Sequence, residues 1–210
     1  MKILRDKAIM LRVRNPKQLT TVIPNSKELA MNKVVVKWGI DEVLSLKALN
    51  IYAPSPITKR YNWPGQYTPF DHQKDTASFM TLNKKSFCFN EQGTGKTASA
   101  IWAADYLLTQ GKIKRVLVVC PLSIMDSAWR NDLFSFAMHR SVDVAHGGKE
   151  KRKKIINGGA EFVIINYDGV EVVKDEIAAG GFDCFIVDEA THYKNAQTKR
   201  WKTLSKLIKE

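Results

Sequence analysis

The 210-residue chain has only three cysteines, and no two of them have the C-x-x-C spacing of a metal or redox site. Cys88, Cys120 and Cys184 each lie in or at the end of an apolar run and read most simply as buried thiols in a reducing compartment. No stretch approaches the roughly 18 unbroken apolar residues of a membrane span. The amino terminus, MKILRDKAIMLRVRN, scatters charge where a signal peptide would be apolar. The sequence therefore predicts an intracellular protein, cytoplasmic or in the nucleoid if its source is bacterial or a phage, with no membrane partner. Internal repeats and low-complexity tracts are absent too.

What is present is apolar content for a real core, 44% of residues, and a formal net charge of +12. An excess of that size fits an anionic partner such as nucleic acid, and fits a solvated surface equally well.

From about Thr58 onward, short apolar runs alternate with amphipathic segments. The runs are SFCF (86–89), RVLVVC (115–120), FVIIN (162–166) and CFIVDE (184–189). Being too short for helices and rich in β-branched or aromatic residues, they read as strands buried on both faces. KTASAIWAADYLLTQGK, stopped by Gly111, and SIMDSAWRNDLFSFA have apolar residues at helical spacing. Strand–helix alternation implies a parallel α/β sheet. Up to about Ala53 the texture differs. KAIMLRV and NKVVVKWG read as strands, and DEVLSLKALNI reads as a short helix capped by Asp41. This region holds ten Lys/Arg against four Asp/Glu, half of the net charge. The expected organisation is a small basic α+β module over 1–57 and an α/β domain over 58–210. APSPITKRYNWPGQYTP, rich in proline and aromatics, is the connection.

NEQGTGKTASA (90–100) follows the first run directly. A strand, a glycine-bearing loop and a helix opening with Lys-Thr form a polyphosphate cradle. Gly93 and Gly95 let backbone N–H groups turn inward, and the helix adds its positive end. Lys96 would reach the β and γ phosphates, and the Thr97 hydroxyl would hold Mg²⁺. The strict G-x-x-x-x-G-K-[ST] pattern has glycine where this chain has Asn90, so the match is to a relaxed form. About ninety residues later CFIVDEATHYKN ends an apolar run in Asp188 and Glu189. At the carboxyl edge of a parallel sheet, Asp188 suits the metal and Glu189 the base or orienter of an attacking water. Taken alone, the pair is equally the charged opening of a loop.

With both motifs in view, the chain resembles the first motor lobe of a superfamily 2 (DEAD/DEAH-type) helicase of the Swi/Snf translocase branch. NEQGTGKT resembles that branch's D-E-M-G-L-G-K-T, and VDEATHYKN resembles D-E-A-H-x-x-K-N. VLVVCPLSIMDSAW resembles motif Ia with its C-P-x-S-L-x-x-x-W run, VIINYDGV resembles I-T-N-Y-E, and YTPFDHQKDTASFM resembles the Q motif. The five motifs lie in the family's order over about Tyr61 to Glu210.

The resemblance implies a RecA-like P-loop NTPase lobe, with a parallel sheet sandwiched by helices, that uses ATP and Mg²⁺. It places Gln73 on adenine and the loop residues Gln92, Gly93, Thr94, Gly95, Lys96, Thr97 and Ala98 on nucleotide, with Thr97 and Asp188 on the metal. Lys96, Asp188 and Glu189 become the catalytic set. Pro121, Leu122 and Ser123, with Asn166 and Tyr167, fall at the family's nucleic-acid-facing loops. Pro121–Ser123 can also be read as a simple strand-to-helix turn and Gln73 alone as an ordinary surface residue, while Trp129 reads as core rather than contact.

Two departures stand out. The family's motif II histidine is Thr191 here, with His192 one step later. The chain also reaches Glu210 before any S-A-T or T-G-T-P motif, so the resemblance implies part of a longer motor whose second RecA-like lobe carries the arginine finger.

Weaker signals remain open. GGKEKRKKIINGG carries five Lys/Arg among the eight residues 149–156, which suits a phosphate backbone or a solvated helix face. Tyr61, Trp63, Tyr67 and Phe70 either stack on adenine or pin the linker. His146 reads as an ordinary loop histidine. The leading functional expectation is an ATP-driven motor on duplex or branched DNA. The alternatives are a helicase on RNA or branched DNA or the motor of a restriction system, a small-molecule phosphotransferase, and a non-catalytic single-lobe regulator binding nucleotide or DNA. An arginine-rich acceptor lid, which the phosphotransferase would need, is not seen.

Overall fold

The computed structural model describes residues 1–193 and 195–209, without the side chains of His192 and Lys209. The chain forms two compact units, one of residues 1–62 and 69–94, the other of residues 63–68 and 95 onward.

The first unit is built on an antiparallel sheet of order β1-β2-β4-β3, from β1 (Lys2–Leu4), β2 (Ala8–Arg12), β3 (Ser26–Leu29) and β4 (Lys33–Lys37). Strict alternation in β2 and β4 buries Ile9, Leu11, Val34 and Val36 on one face. There they join Leu19 of α1 (Pro16–Val22) and Val43 and Leu46 of α2 (Ile40–Ala48), together with Trp38. Helix α1 starts where Asn15 Oδ1 accepts from the Gln18 amide and Pro16 presets the first turn. Helix α2 opens at Gly39 rather than at Asp41. Asp41 lies inside the first turn, where its charge complements the helix dipole. A short α3 (Ile57–Arg60) and α4 (Asp71–Thr81) complete the unit, joined by the buried Ser55–Thr81 hydroxyl pair at 2.7 Å.

The run 86–89, expected as a buried strand, forms none. Phe87 and Phe89 are exposed and stack on each other at 5.9 Å. An apolar run becomes a strand only where a neighbour accepts its ladder bonds, and 86–89 pairs with no strand.

The second unit begins with α5 (Lys96–Thr109) and holds a wholly parallel sheet of order β6-β7-β5-β8: β5 (Val116–Cys120), β6 (Val142–Ala145), β7 (Phe162–Asn166) and β8 (Cys184–Val187). Between β5 and β6 run a 3-10 turn (Leu122–Ile124), a π-helical turn (Met125–Arg130) and α6 (Asn131–Phe136). On one face Leu117, Val119, Val163 and Ile165 pack with Ile156 of α7 (Lys149–Ile156), Val170 of α8 (Tyr167–Val172), Ile177 of α9 (Lys174–Ala179) and Leu204 of α10 (Lys199–Lys209). The alternate residues Val116, Val118 and Ile164 are also fully buried, as a parallel sheet covered on both sides requires. Of the connecting aromatics, Trp63 is held here: it meets the Trp102 ring edge-on while Trp102 Nε1 donates to Pro64 O, whereas Tyr67 and Phe70 are exposed. Arg140 locks α5 to the sheet, its guanidinium reaching the buried Asp105 carboxylate at 2.5 Å and Glu161 at 2.7 Å.

Candidate functional site

Register fixes which loops share the carboxyl edge of the parallel sheet. Cys120 lies opposite Asn166, Val119 opposite Val187, and the Asp188 amide continues the ladder to Val119 O at 2.9 Å. Pro121–Ser123, Asn166–Tyr167 and Asp188–Glu189 therefore leave the sheet side by side. This is the edge at which open α/β sheets bind ligands.

Asp188 is held from several directions. The Trp129 indole N–H donates to its Oδ2 at 2.9 Å, and the Glu189 amide donates to its Oδ1 at 2.9 Å. The Tyr167 hydroxyl donates to its carbonyl at 2.6 Å. Burial, reinforced by the Asp188 charge, pushes the Cys120 thiol up to about 12, so it stays neutral beside the carboxylate. Burial and then the Glu189 and Asp188 carboxylates raise the Tyr167 phenol as well, keeping it a donor. Glu189 has φ 47°, a left-handed conformation that costs a glutamate of order 1 kcal/mol and turns the chain sharply after the strand. Thr191 is exposed, with its hydroxyl 3.4 Å from Glu189 O. The His192 side chain and Lys194 lie outside the described residues.

Asn166 and Tyr167, expected to face nucleic acid, turn inward and are 8% and 6% exposed. Asn166 Oδ1 accepts from Arg152 Nη1 at 3.0 Å, and the same guanidinium donates to Ala145 O and Gly147 O. Gly169 makes room for this arrangement, since a Cβ there would stand 2.2 Å from Arg152 Nη1. Arg152 of the basic run is thus a brace beneath the edge. Lys149, Lys151 and Lys154 remain exposed, and Lys153 pairs with Glu176 at 3.0 Å. Leu122 and Ser123 are exposed and Pro121 half-buried, so that loop does present itself to solvent.

The phosphate loop has the expected local features. Gly93 and Gly95 have φ 77° and 75°, in the left-handed region that favours glycine. In the second unit Gly95 is the cap residue of α5 and the first turn holds no acidic residue, so no carboxylate of that turn offsets the positive end of the helix dipole. Lys96 and Thr97 lie half-buried in that turn, and Ala98 is buried. In the first unit Gln92 is exposed, and Thr94 Oγ1 donates to Glu91 O. Gln73 is engaged there: its Oε1 accepts from the Phe70 amide, and its Nε2 donates to Thr94 O at 3.2 Å. His72 Nε2 also meets Thr94 O, at 3.1 Å. The Gln73 amide thus ties the start of α4 to the loop.

These donors suit a polyphosphate, and the acidic complement suits Mg²⁺. Among the described residues no group of three or more His, Cys, Asp or Glu could cage a metal, and Mg²⁺ characteristically takes one or two carboxylates with the rest of its shell from phosphate and water. Sequence reasoning treated Trp129 as core. It is indeed buried, yet its one polar atom points at Asp188. The available signal was that a buried indole N–H nearly always finds a partner.

The profile of the SNF2-related domain matches residues 72–210. The uncharacterized ATP-dependent helicase YqhH of Bacillus subtilis is 25% identical over 148 residues, covering 69% of this chain and 25% of that protein. The ISWI chromatin-remodeling complex ATPase ISW2 of Saccharomyces cerevisiae is 29% identical over 126 residues, 57% of this chain and 11% of that one. Among solved structures, the Sulfolobus solfataricus SWI2/SNF2 ATPase core in complex with dsDNA superposes with a TM-score of 0.58 at 26% identity, covering 68% of this chain and 30% of that one. The chain thus spans less than a third of the length of these proteins. Matched over most of its length by the family profile, and carrying the parallel sheet with its acidic strand end, the chain belongs to the SNF2-related domain family and forms the first RecA-like lobe of a Swi/Snf-type superfamily 2 protein.

Proposed function

We propose that this chain is the ATP-binding part of a motor that hydrolyses ATP as it moves along duplex DNA. The observation that carries the proposal is the sheet edge, where register lines up Pro121–Ser123, Asn166–Tyr167 and Asp188–Glu189. Bound Mg²⁺–ATP supplies the terminal phosphoryl group that passes to water. Lys96 and the α5 amino terminus neutralise the β and γ phosphates, the Thr97 hydroxyl and the Asp188 carboxylate hold the metal, and Glu189 orients the attacking water and accepts its proton. Trp129 and the Glu189 amide fix the Asp188 carboxylate through both oxygens. Gln73 serves the nucleotide site by holding the loop at Thr94, and its contact with adenine requires that the amide exchange this bond.

Leu122 and Ser123 touch the phosphate backbone of the track, and Asn166, Tyr167 and Arg152 support that loop edge from beneath. A second RecA-like lobe supplies the arginine finger. Residues 1–57 form an accessory module to the lobe over 58–210, and the protein works inside the cell. The solved neighbour bound to dsDNA supports duplex as the track. The test compares ATP hydrolysis by the protein alone and with duplex DNA, single-stranded DNA, forked DNA and RNA. Duplex should stimulate most, and stimulation by RNA or single strands alone would contradict the proposal.

A further inference from the structure

Helices α1 and α2 of the first unit pack on the Ile9, Leu11, Val34 and Val36 face of its antiparallel sheet, and strand register concentrates cations on the opposite face. In one rung across all four strands, Lys2 lies opposite Met10, Met10 opposite Val35, and Val35 opposite Lys27. The neighbouring rung places Arg12 opposite Lys33, and the rung on the other side places Ala8 opposite Lys37. Directly opposed residues share a face, so five cations line this surface around Met10 and Val35. The two acidic residues nearest in sequence lie elsewhere: Glu28 pairs with Val34, whose side chain is in the core, and Asp6 is in a turn. Lys2, Arg12, Lys27 and Lys37 are exposed, and Lys33 is half-buried. Among the described residues none of the five forms a salt bridge. The facing pair Arg12 and Lys33 is destabilising in the isolated sheet, as like charges directly opposite are, and a bound polyanion relieves that repulsion.

We infer that this sheet face is a second DNA-binding surface, which takes the phosphate backbone of duplex DNA independently of nucleotide. The inference rests on the proposed duplex track for the choice of occupant. Geometry supports that choice. The Lys2–Lys27 rung crosses three strand gaps of about 4.8 Å, roughly 14 Å in all. Duplex DNA presents one phosphate per about 1.7 Å of axis, so five cations spread over such a patch meet several phosphates at once. No aromatic side chain occupies these rungs, and single-strand binders rely on aromatic stacking platforms, so the face suits backbone contact with a duplex.

The experiment measures binding of a labelled 20-bp duplex by fluorescence anisotropy, without nucleotide, across a salt series. It uses the whole protein and two triple variants of equal charge change. Arg12→Glu, Lys27→Glu and Lys37→Glu alter the face, whereas Lys17→Glu, Lys59→Glu and Lys84→Glu, all exposed, alter cations outside the sheet. The face triple should bind at least tenfold more weakly at low salt, with a log–log salt slope shallower by about 2.7, from about 0.9 per phosphate contact. The control triple should change binding less than threefold and leave the slope unchanged. Equal losses in both triples would overturn the inference, as would a wild-type preference for single strands or for anionic vesicles over duplex. A face triple of Arg12→Gln, Lys27→Gln and Lys37→Gln, which keeps long polar side chains, guards against misfolding and should show the same direction of change. Hydrolysis without DNA should be unaltered in every variant. A wild type whose hydrolysis ignores DNA would sink the motor proposal while leaving this binding comparison decisive for the face.

Discussion

The two sheets of this protein solve the burial problem in opposite ways, and each solution dictates where chemistry is located. The two central strands of the parallel sheet, β5 and β7, are buried along their whole length, so that their ends are what remains available, whereas β8 at the edge is half-buried throughout. The groups proposed for catalysis therefore lie at the carboxyl edge, on loops that register brings together. The antiparallel sheet buries only the Ile9, Leu11, Val34 and Val36 side, and its other face is free to carry charge. An edge concentrates a few oriented groups, which suits catalysis. An open face spreads many charges at strand spacing, which suits a repeating polyanion.

If the parallel edge is the catalytic region, the largest effect should come from Glu189→Gln, which keeps shape but removes the base. Hydrolysis should fall about 10²- to 10⁴-fold with nucleotide binding retained, as measured by steady-state turnover beside nucleotide titration. A loss confined to nucleotide affinity would move Glu189 out of the chemistry. Next is Trp129→Phe, which retains a ring and removes the N–H that meets Asp188. A hydrogen bond to a charged group is worth about 1.5–3 kcal/mol, so the Mg²⁺ concentration for half-maximal hydrolysis should rise roughly tenfold or more, with turnover largely restored at saturating Mg²⁺. A purely structural role would lower Tm and leave the Mg²⁺ requirement alone.

Much of this was legible in the sequence, for physical reasons that differ by element. Val116–Cys120 and Phe162–Asn166 announce themselves because strands buried on both faces must be apolar throughout. Val142–Ala145 was not seen: it is short, the exposed Asp143 interrupts it, and only Ala145 in it is buried. The run 86–89 misled, because local composition cannot say whether a pairing partner is present. Asp188 was found from its place at a strand end, but its donor Trp129 lies 59 residues away, a proximity that only the parallel register creates. Asn166 and Tyr167 lie at the strand end where the sequence places them, but with their side chains turned inward. Sequence fixes a loop's position in the topology more readily than which way a polar side chain turns, and Arg152 decides that here. The cationic face was visible only as an excess of charge, since its pattern depends on which strands pair and in what register.

Smaller effects sharpen the contrast further. Arg140→Leu should destabilise the second unit by about 3 kcal/mol, because it takes the guanidinium away from the Asp105 carboxylate, which is 2% exposed. Urea denaturation should show this, and a neutral outcome would mean that α5 is anchored elsewhere. The smallest effect concerns pH. Burial alone would raise the Glu161 carboxyl, but the Ser141 amide and the Arg140 guanidinium outweigh it and hold its pKa below the usual carboxylate range. A depressed folded-state pKa gives stability that is present above the unfolded value, about 4.3, and is lost as pH falls through the folded one. Glu161→Gln should therefore flatten the acid side of a denaturation midpoint series run from pH 7 to 3. A variant that loses stability on acidification as steeply as the parent would remove Glu161 from the clamp.

The central claim, that the phosphate loop and the acidic strand end together form an ATPase driven by duplex DNA, is tested most directly by steady-state ATP hydrolysis of the protein and its Lys96→Ala variant, each with and without duplex. The account predicts strong stimulation by duplex in the parent and near-complete loss of hydrolysis in the variant. Turnover that survives Lys96→Ala undiminished, or that duplex leaves unchanged in the parent, would contradict it.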